Sequence, residues 1–265
     1  LALSAGDLLV VDEAAMVPTR DLAGICAYAH QRGARVAFVG DPMQLTSPEA
    51  GGIITDLLGA DSSVQLTDVR RFRNVWEGPA SLALRDADAT IVTVYDTHDR
   101  IIPVTEDDAN ATIVADWWDD LRSGRDVVIV ADTNSDAAEL AALCQVQRRD
   151  AGDVGPGMVP LADGNIAGVG DLIQTRLNDR DLIASDGRRV ANRDTWTVLN
   201  AGPDGVLAQR ANGSPATVNI PLGYLDKHAQ LAYAGTIHAV QGRTVDVARS
   251  LITPSTGRSA LYVAM

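Results

Sequence analysis

Two adjacent carboxylates, Asp12 and Glu13, directly follow an apolar run at residues 8–11. A β-branched, apolar run that ends abruptly in charge is typical of a buried parallel strand, and α/β sheets keep their chemistry at the carboxyl ends of such strands. An aspartate there can hold Mg²⁺ through water, and a neighbouring glutamate can polarise an attacking water molecule. The pair therefore has the residue types of a Walker B element, although an Asp-Glu pair can also end a strand without a chemical role.

A second apolar run, residues 36–39, ends in Gly40 and Asp41, and Gln44 follows. A glutamine at that place can contact a γ-phosphate, and the Gly-Asp-Pro turn before it sets its direction. Apolar residues at helical spacing predict a helix over residues 19–31 that joins the two strands by a right-handed crossover. The sequence thus predicts a strand–helix–strand unit with both strand ends at one edge of a sheet.

With 46% hydrophobic and 22% charged residues the composition is that of an ordinary soluble globular protein, and 265 residues are long enough for an enzyme. No apolar run reaches membrane-spanning length and no secretion signal is present, so we expect a cytoplasmic protein without a membrane partner. The net charge of −13 argues against a surface coated for nonspecific nucleic-acid binding but leaves room for a narrow basic groove. Cys26 and Cys144 fall in helical patterns and are predicted to be core thiols.

Lys227 is the only lysine of the chain, and it lies outside any Gly-x-x-x-x-Gly-Lys sequence. A P-loop needs that lysine to reach the phosphates of a nucleotide. The chain therefore lacks a Walker A motif, and it begins close before the predicted Walker B strand. We expect the phosphate loop to lie upstream, in a longer parent protein.

Three arginines fall within residues 70–73, among them Arg70 and Arg71. Taken alone, such a cluster is more typical of a solvated basic turn than of a site. An arginine that reaches a γ-phosphate is the alternative, because its charge can stabilise phosphoryl transfer. The residues alone leave both interpretations open.

Amphipathic patterns farther along predict helices over residues 80–88 and 107–122, and an apolar run with a polar end predicts a second buried parallel strand over residues 126–134. Trp117 and Trp118 could stack on nucleic-acid bases. Their place among apolar residues of a helix favours core packing instead.

Residues 152–223 are rich in Gly, Asn, Asp and Pro and contain only short strand-like runs, which predicts a small antiparallel barrel. After it, Thr236, His238, Gln241 and Gly242 form a Thr-x-His-x-x-Gln-Gly sequence. A lone histidine is usually structural. A hydroxyl and an imidazole can also bind phosphate without reading base sequence.

In this order the sequences resemble the motifs of superfamily 1, RecD-like DNA helicases, and most closely the helicase region of TrwC/TraI-type conjugative relaxases. Residues 12–13 are similar to motif II, 40–45 to motif III, 70–73 to motif IV, 236–242 to motif V and 259–265 to the opening of motif VI. The chain ends before the arginine that closes motif VI in the family.

The family usually carries Asn-Gly-Asp in its β-rich insertion, where this chain has Asn192, Arg193 and Asp194. Arginine tolerates a positive φ poorly. The substitution therefore leaves the geometry of that turn open.

The resemblance implies an ATP site with Mg²⁺ held by Asp12 through water, and a surface for the backbone of single-stranded DNA. Motif IV is assigned to Arg71, with Arg70 as the alternative. The implied residues are Asp12, Glu13, Gln44 and Arg71 for catalysis, Gly40, Asp41, Gln241 and Gly242 near the nucleotide, and Thr236 and His238 for DNA.

The implied fold is α/β, with RecA-like P-loop NTPase domains of parallel sheets flanked by helices. The expected division is residues 1–66 for the later part of the first RecA-like domain, 67–165 and 225–265 for the second, and 166–224 for an inserted SH3-like β-barrel. The implied function is ATP-driven movement on single-stranded DNA or a DNA fork, 5′ to 3′, in a parent that can carry a relaxase domain.

Two alternatives remain at this point. One is a helicase-like module that binds DNA or a partner without motor activity, and the other is a helicase subunit of an exonuclease complex. Because the Walker A lysine and the motif VI arginine are absent, we expect this chain alone not to hydrolyse ATP.

Overall fold

A computed structural model gives the fold of two compact units, Leu1–Ile101 with Gly257–Val263, and Ile102–Thr256. The residues that the structure describes are 2–43, 53–57, 63–64, 66, 72, 74–240 and 243–264.

The first unit opens with the predicted strand–helix–strand arrangement. Strand β1 (Leu8–Val11) pairs in parallel with β2 (Arg35–Phe38), and helix α1 (Thr19–Gln31) connects them. Leu8 lies opposite Arg35, and Val11 lies opposite Phe38. The helix is amphipathic and buries Leu22 and Ala29, which gives the unit its first packed face.

Strand β1 is not the buried strand that its sequence predicts. Leu8 is 56% exposed and Val10 is 54% exposed, whereas the alternate residues Leu9 and Val11 are half-buried. Within the described residues, β2 is the only strand paired with β1. Successive strand residues point to opposite faces, so one face of this two-stranded sheet is exposed. Cys26 is also exposed, which corrects the expectation that it is a core thiol.

Three further helices follow in this unit, namely α2 (Ile53–Leu57), α3 (Glu77–Arg85) and α4 (Ile91–Thr97). The sequence predicts a helix near α3 but not α4. Leu84 on α3 packs with Ile91 and Tyr95 on α4 in a small core. The indole of Trp76 closes one side of it, because its ring centroid lies 5.4 Å from that of Tyr95.

The second unit begins with helix α5 (Glu106–Arg122), strand β3 (Val127–Ala131) and helix α6 (Asn134–Asp150). Both helices start at a threonine whose side chain accepts a backbone N–H, Thr105 from Asp108 and Thr133 from Asp136. All five residues of β3 are buried, as the sequence predicts. Strand β3 is therefore the centre of this unit.

An antiparallel region follows α6, at the place where the sequence predicts a small barrel. Its central sheet has five strands in the order β11-β10-β9-β6-β12, and two short hairpins, β4-β5 and β7-β8, flank it. Its elements are β4 (Val159–Pro160), β5 (Ile166–Ala167), β6 (Leu172–Thr175), β7 (Asp179–Ile183), β8 (Arg189–Val190), β9 (Thr195–Gly202), β10 (Gly205–Arg210), β11 (Thr217–Pro221), α7 (Leu222–His228) and β12 (Ala229–Leu231). We call residues 152–231 the β-rich insertion.

The chain then returns to a parallel sheet through β13 (Ala234–Thr236), the short helix α8 (Ile237–Val240) and β14 (Val247–Ser250). Strand β3 lies between β13 and β14, and both pairings are parallel. An α/β fold with parallel sheets is thus confirmed for the chain.

A single hydrophobic core joins the parallel sheet of the second unit to the β-rich insertion. It contains Ile129 of β3, Leu140 of α6, Trp196 of β9 and Leu225 of α7, all less than 2% exposed. Trp117 is also in this core at 1% exposed, which supports the packing interpretation over base stacking for that side chain.

The last helix, α9 (Arg258–Ala264), begins in the first unit's share of the chain, and its Leu261 packs against the α3–α4 core. The division into compact units falls at Ile101, whereas the division by motifs falls after residue 66. The motif-based domain boundaries remain a prediction. No helix in the described part of the chain is long and apolar enough to cross a membrane.

Candidate nucleotide and nucleic-acid sites

The carboxyl ends of β1 and β2 lie side by side in the first unit. The amide of Val39 donates to the carbonyl of Val11, and the amide of Ala14 donates to the carbonyl of Val39, each over 2.9 Å. These bonds extend the parallel pairing past both strands. They bring the Asp12–Glu13 pair and the Gly40–Asp41 pair to the same sheet edge, as the sequence predicts.

Asp12 and Glu13 are both exposed at this edge. The carboxylate of Asp12 accepts the backbone N–H of Glu13 over 2.9 Å. Glu13 has φ 51° and ψ 37°, the left-handed region that non-glycine residues adopt at a cost in free energy. A strained glutamate beside an available aspartate is consistent with a functional role, because such strain concentrates at active sites.

Gly40 lies where two backbones pack closely. A Cβ atom at this position would lie 3.1 Å from the amide nitrogen of Ala14 and 3.2 Å from that of Ala15. A side chain at this position would therefore require a small shift of the loop after β1, which glycine avoids.

Asp41 links the turn after β2 to helix α9. One carboxylate oxygen accepts the amide of Met43 over 2.9 Å, and the other accepts the hydroxyl of Tyr262 over 3.0 Å. Burial raises the pKa of Tyr262, and the charge of Asp41 raises it further. Sequence analysis missed Tyr262 as a partner of Asp41. The available signal was its place in the apolar run that resembles the opening of motif VI.

Four predicted site residues lie outside the described residues, together with the alternative Arg70. It therefore remains a prediction that one cleft brings these residues together with Asp12 and Glu13. They are Gln44, Arg71, Gln241 and Gly242.

The exposed carboxylates suit the way in which proteins hold Mg²⁺ beside phosphates. Within the part of the chain that the structure describes, no three His, Cys, Asp or Glu side chains form a dedicated metal cage. Magnesium usually keeps several waters and binds one or two carboxylates together with substrate phosphates. Asp12 fits that type of ligand because its carboxylate is exposed at the strand edge.

Thr236 and His238 lie at the carboxyl end of β13 in the second unit. The hydroxyl of Thr236 accepts the amide of Ala239 over 3.3 Å, which fixes the start of α8. The ring atom Nδ1 of His238 is buried and has no hydrogen-bond partner among the described residues. Burial lowers the pKa of His238, and the positive charge of Arg193 lowers it further.

The turn that departs from the family sequence lies near His238. Arg193 adopts φ 72°, and its amide donates to the carbonyl of Thr175 over 2.7 Å. The turn that was in doubt is therefore formed, with arginine in a left-handed conformation. Burial lowers the pKa of Arg176, the residue after Thr175, and the charge of Arg193 adds to that effect.

A buried polar network fixes the β-rich insertion to the parallel sheet. Asp171 is fully buried and accepts three hydrogen bonds of 2.7 Å, from the amide of Gly168, the side chain of Gln145 and the hydroxyl of Tyr233. Burial raises the pKa of Asp171. The network joins α6, the insertion and the segment before β13, so its role is structural.

The first unit thus contains a strand–helix–strand edge, and the second contains a parallel sheet with a β-rich insertion. The sequence profile of an AAA domain matches residues 1–106. The chain is similar over 262 residues to the conjugal transfer protein TraA of Rhizobium radiobacter, with 28% identity over 97% of this chain and 23% of that protein. It is also similar to the RecBCD enzyme subunit RecD of Mycobacterium tuberculosis, with 30% identity over 91% of this chain and 43% of RecD. The chain is thus related to RecD-like helicases and to conjugative relaxases, as its motifs predict.

Solved structures give the same fold. A Bacteroides Pif1 bound to single-stranded DNA matches with a TM-score of 0.60 and 16% identity, over 98% of this chain and 67% of that one. A Bacteroides Pif1 helicase in complex with ADP-AlF3 and single-stranded DNA matches with a TM-score of 0.58, 16% identity and coverage of 97% and 67%. At this identity the likeness shows the fold alone. The chain spans about a quarter of the length of the conjugal transfer proteins that it matches.

Proposed function

We propose that this chain is part of an ATP-dependent helicase or translocase that moves 5′ to 3′ on single-stranded DNA, and that its parent is a conjugative relaxase. The observation that carries the proposal is the shared strand edge, where the Ala14–Val39 and Val39–Val11 hydrogen bonds place two exposed carboxylates beside Gly40 and Asp41. The relationship to TraA supports the conjugative parent.

In this proposal the first unit provides part of an ATP site. Asp12 would hold Mg²⁺ through water, and the ion when bound would neutralise charge on the phosphates. Glu13 orients and polarises the attacking water. Gln44 contacts the γ-phosphate, and Arg71 stabilises its charge, with Arg70 as the alternative. Gly40 and Asp41 line the nucleotide side, as do Gln241 and Gly242 of motif V.

The proposed domains follow the motifs. Residues 1–66 form the later part of one RecA-like domain, and residues 67–165 with 225–265 form the second. The three-stranded parallel sheet around β3 supports the second assignment. Residues 166–224 form an SH3-like barrel, an assignment that the five-stranded antiparallel sheet supports.

The DNA contacts in this proposal are made to phosphate and sugar by Thr236 and His238. The orphan Nδ1 atom of His238 supports a ligand-binding role, since a buried polar atom without a partner is costly. Contacts of this kind do not read base sequence, so affinity should fall steeply with salt. The cytoplasmic location stays a prediction.

The proposal is tested by ATP hydrolysis in the parent protein, prepared with its upstream phosphate loop. Wild type should hydrolyse ATP faster when single-stranded DNA is added. Glu13→Gln should lower kcat at least about 100-fold, because it removes the group that polarises water, and should leave DNA affinity unchanged. Asp21→Asn, an exposed acid on α1, is the matched control and should leave kcat unchanged. A parent whose Glu13→Gln variant keeps wild-type turnover would overturn the proposal.

The isolated chain should show no measurable ATP hydrolysis, because it contains neither the Walker A lysine nor the motif VI arginine. DNA-stimulated hydrolysis by the isolated chain, abolished by Glu13→Gln, would contradict this expectation.

Similarity to RecD supports a second candidate, a helicase subunit of an exonuclease complex. The upstream sequence of the parent separates the two candidates, because a relaxase needs its own nicking domain in the same chain. A parent that binds single-stranded DNA but has no phosphate loop would instead be a binding module without a motor.

A further inference from the structure

The carboxylate of Asp41 joins two parts of the first unit that lie far apart in the sequence. One oxygen accepts the amide of Met43 over 2.9 Å and so closes the turn that follows β2. The other accepts the hydroxyl of Tyr262 over 3.0 Å, across 221 positions of the chain. A residue of helix α9 therefore sets the orientation of the group that shapes this turn.

Helix α9 holds Tyr262 in a fixed place. The neighbouring Leu261 packs against the α3–α4 core, and its amide donates to the carbonyl of Gly257 over 3.0 Å. Tyr262 is itself half-buried. A hydroxyl carried by a packed helix loses little further conformational freedom when it forms a hydrogen bond, so this bond can direct its acceptor.

Tyr262 is a donor at neutral pH. Burial raises the pKa of its hydroxyl above the ordinary value of 10, and the charge of Asp41 raises it further. The hydroxyl therefore keeps its proton, and the Asp41 carboxylate receives a charge-assisted hydrogen bond, which is stronger than a bond between neutral groups.

The turn that Asp41 shapes lies against the proposed catalytic edge. A Cβ atom on Gly40 would lie 3.1 Å from the amide nitrogen of Ala14, which directly follows Glu13. On the other side of the turn, Gln44 comes next in the sequence. A change in the turn would therefore act on the backbone beside Glu13 and on the residue proposed to contact the γ-phosphate.

We infer that Tyr262 is a positioning residue for the proposed ATP hydrolysis, because its hydroxyl fixes the Asp41 carboxylate and thereby the turn that leads to Gln44. This inference rests on the proposed function, since it adds a residue to the same ATP site. Tyr262 acts through Asp41 and contacts neither the nucleotide nor the attacking water. Its loss should slow the chemical step and leave nucleotide binding in place.

The activity test uses the parent protein, with its phosphate loop and with single-stranded DNA present. Tyr262→Phe removes only the hydroxyl and should lower kcat about tenfold, because a small misplacement of a group that contacts the γ-phosphate slows phosphoryl transfer. KM for ATP should stay within about twofold of wild type. A raised KM with wild-type kcat would overturn the inference, since the hydroxyl would then support binding and not positioning.

Tyr95→Phe is the matched control. Tyr95 is 4% exposed in the α3–α4 core against which α9 packs, and its hydroxyl has no hydrogen-bond partner among the described residues. Both variants are assayed at a temperature where thermal melting shows them to be fully folded. Tyr95→Phe should keep wild-type kcat. Equal losses of kcat for the two variants would overturn the inference, because the effect would not depend on the bond to Asp41.

Hydrogen exchange tests the positioning without ATP hydrolysis. In the full chain, Tyr262→Phe should raise the exchange rate of the Met43 amide at least about threefold, because the carboxylate that accepts this amide loses its anchor on α9. Tyr95→Phe should leave that rate unchanged. Unchanged exchange of Met43 in Tyr262→Phe would contradict the inference.

Action through Asp41 makes a further demand on a double variant. Asp41→Ala removes the acceptor of the Tyr262 hydroxyl, so adding Tyr262→Phe to Asp41→Ala should lower kcat no further. Multiplicative losses of kcat would show that Tyr262 acts by another route and would overturn the inference.

The outcomes separate this inference from the proposed function. If Tyr262→Phe keeps kcat within about twofold of wild type, the inference is wrong while ATP hydrolysis stands. If the wild-type parent does not hydrolyse ATP with single-stranded DNA, the proposed function itself fails. Faster exchange of Met43 in Tyr262→Phe would then mark Tyr262 as a purely structural anchor.

Discussion

Asp12 directly follows strand β1 and Asp132 directly follows strand β3, and each strand is a short apolar run. Every residue of β3 is buried, whereas β1 alternates between exposed and half-buried residues. The difference follows from their neighbours. Strand β3 lies between β13 and β14, and β1 pairs only with β2 among the described residues. An apolar run ending in aspartate therefore predicts a strand but not how many neighbours will cover it.

The two aspartates also have different partners. The carboxylate of Asp132 accepts the hydroxyl of Thr253 over 3.1 Å and that of Thr256 over 2.5 Å, and so fixes the loop that follows β14. Asp12 is exposed and accepts only a backbone amide within the described residues. The same residue type at the same place in a strand is thus used for structure in the second unit and left available for a ligand in the first.

The largest expected effect concerns the polar contacts that hold the sheet of β3. Asp120 on α5 is 1% exposed and pairs with Arg249 of β14 over 2.8 Å. Asp120→Ala should lower the free energy of unfolding by about 3 kcal/mol, because Arg249 and Arg125 both lose their buried partner while Arg249 keeps its pairing with Asp116. Chemical denaturation measures this change. Asp119 is an exposed neighbour on the same helix, so Asp119→Ala should change the free energy of unfolding little. Equal losses of unfolding free energy for the two variants would contradict the role assigned to Asp120.

The second effect compares matched valines two residues before each aspartate. Val130 is 3% exposed and Val10 is 54% exposed. Val130→Ala should cost about 2 kcal/mol of unfolding free energy, since it removes two buried methyl groups, while Val10→Ala should stay within about 0.5 kcal/mol. If Val10→Ala costs as much as Val130→Ala in the isolated chain, β1 is covered in solution and the comparison fails.

A third effect tests the structural role assigned to Asp132. Asp132→Ala should cost about 1–3 kcal/mol, because two hydroxyls lose their acceptor. Asp12→Ala should leave the melting curve unchanged. If Asp12→Ala were less stable than Asp132→Ala, the roles assigned to the two carboxylates would be wrong.

The smallest effect is a pH dependence in the second unit. Burial and Arg193 lower the pKa of His238 below its ordinary value of 6.5. A lowered folded pKa means that the neutral ring is favoured in the folded state, so this stabilisation is present above pH 6.5 and is lost as pH falls through the folded pKa. Unfolding of wild type and His238→Gln should therefore differ in slope below pH 6.5 and run parallel above it. If the plots of unfolding free energy against pH for the two proteins ran parallel at every pH, the lowered pKa of His238 would be excluded.

Local sequence patterns predict much of this fold for a physical reason. The period of apolar residues in α1 and the unbroken apolar run of β3 each express contacts within one element. Turn-forming residues likewise predict the short strands of the β-rich insertion. Features that depend on packing between elements could not be predicted in this way. The exposure of β1 and of Cys26, the bond from Tyr262 to Asp41 and the fold of α4 required contacts that no local pattern encodes.

The candidate site divides in the same way. The strand edge with Asp12, Glu13, Gly40 and Asp41 could be predicted because the ends of adjacent parallel strands must meet. The left-handed conformation of Glu13 could not be predicted, because residues with a side chain rarely adopt it. Arg193 is a similar case. The sequence leaves the geometry of its turn open, but the carbonyl of Thr175 accepts the amide of Arg193 and the carboxylate of Asp194 accepts the amide of Ala191, and these bonds hold the turn.

The central claim is that the aspartate after β1 serves ATP hydrolysis while the aspartate after β3 serves structure. The most direct test measures single-stranded-DNA-stimulated ATP hydrolysis by the parent protein carrying Asp12→Asn or Asp132→Asn. The account predicts that Asp12→Asn lowers kcat at least about 100-fold with an unchanged melting temperature, and that Asp132→Asn lowers the melting temperature but keeps kcat within about twofold. Full hydrolysis by the Asp12→Asn variant would contradict the account.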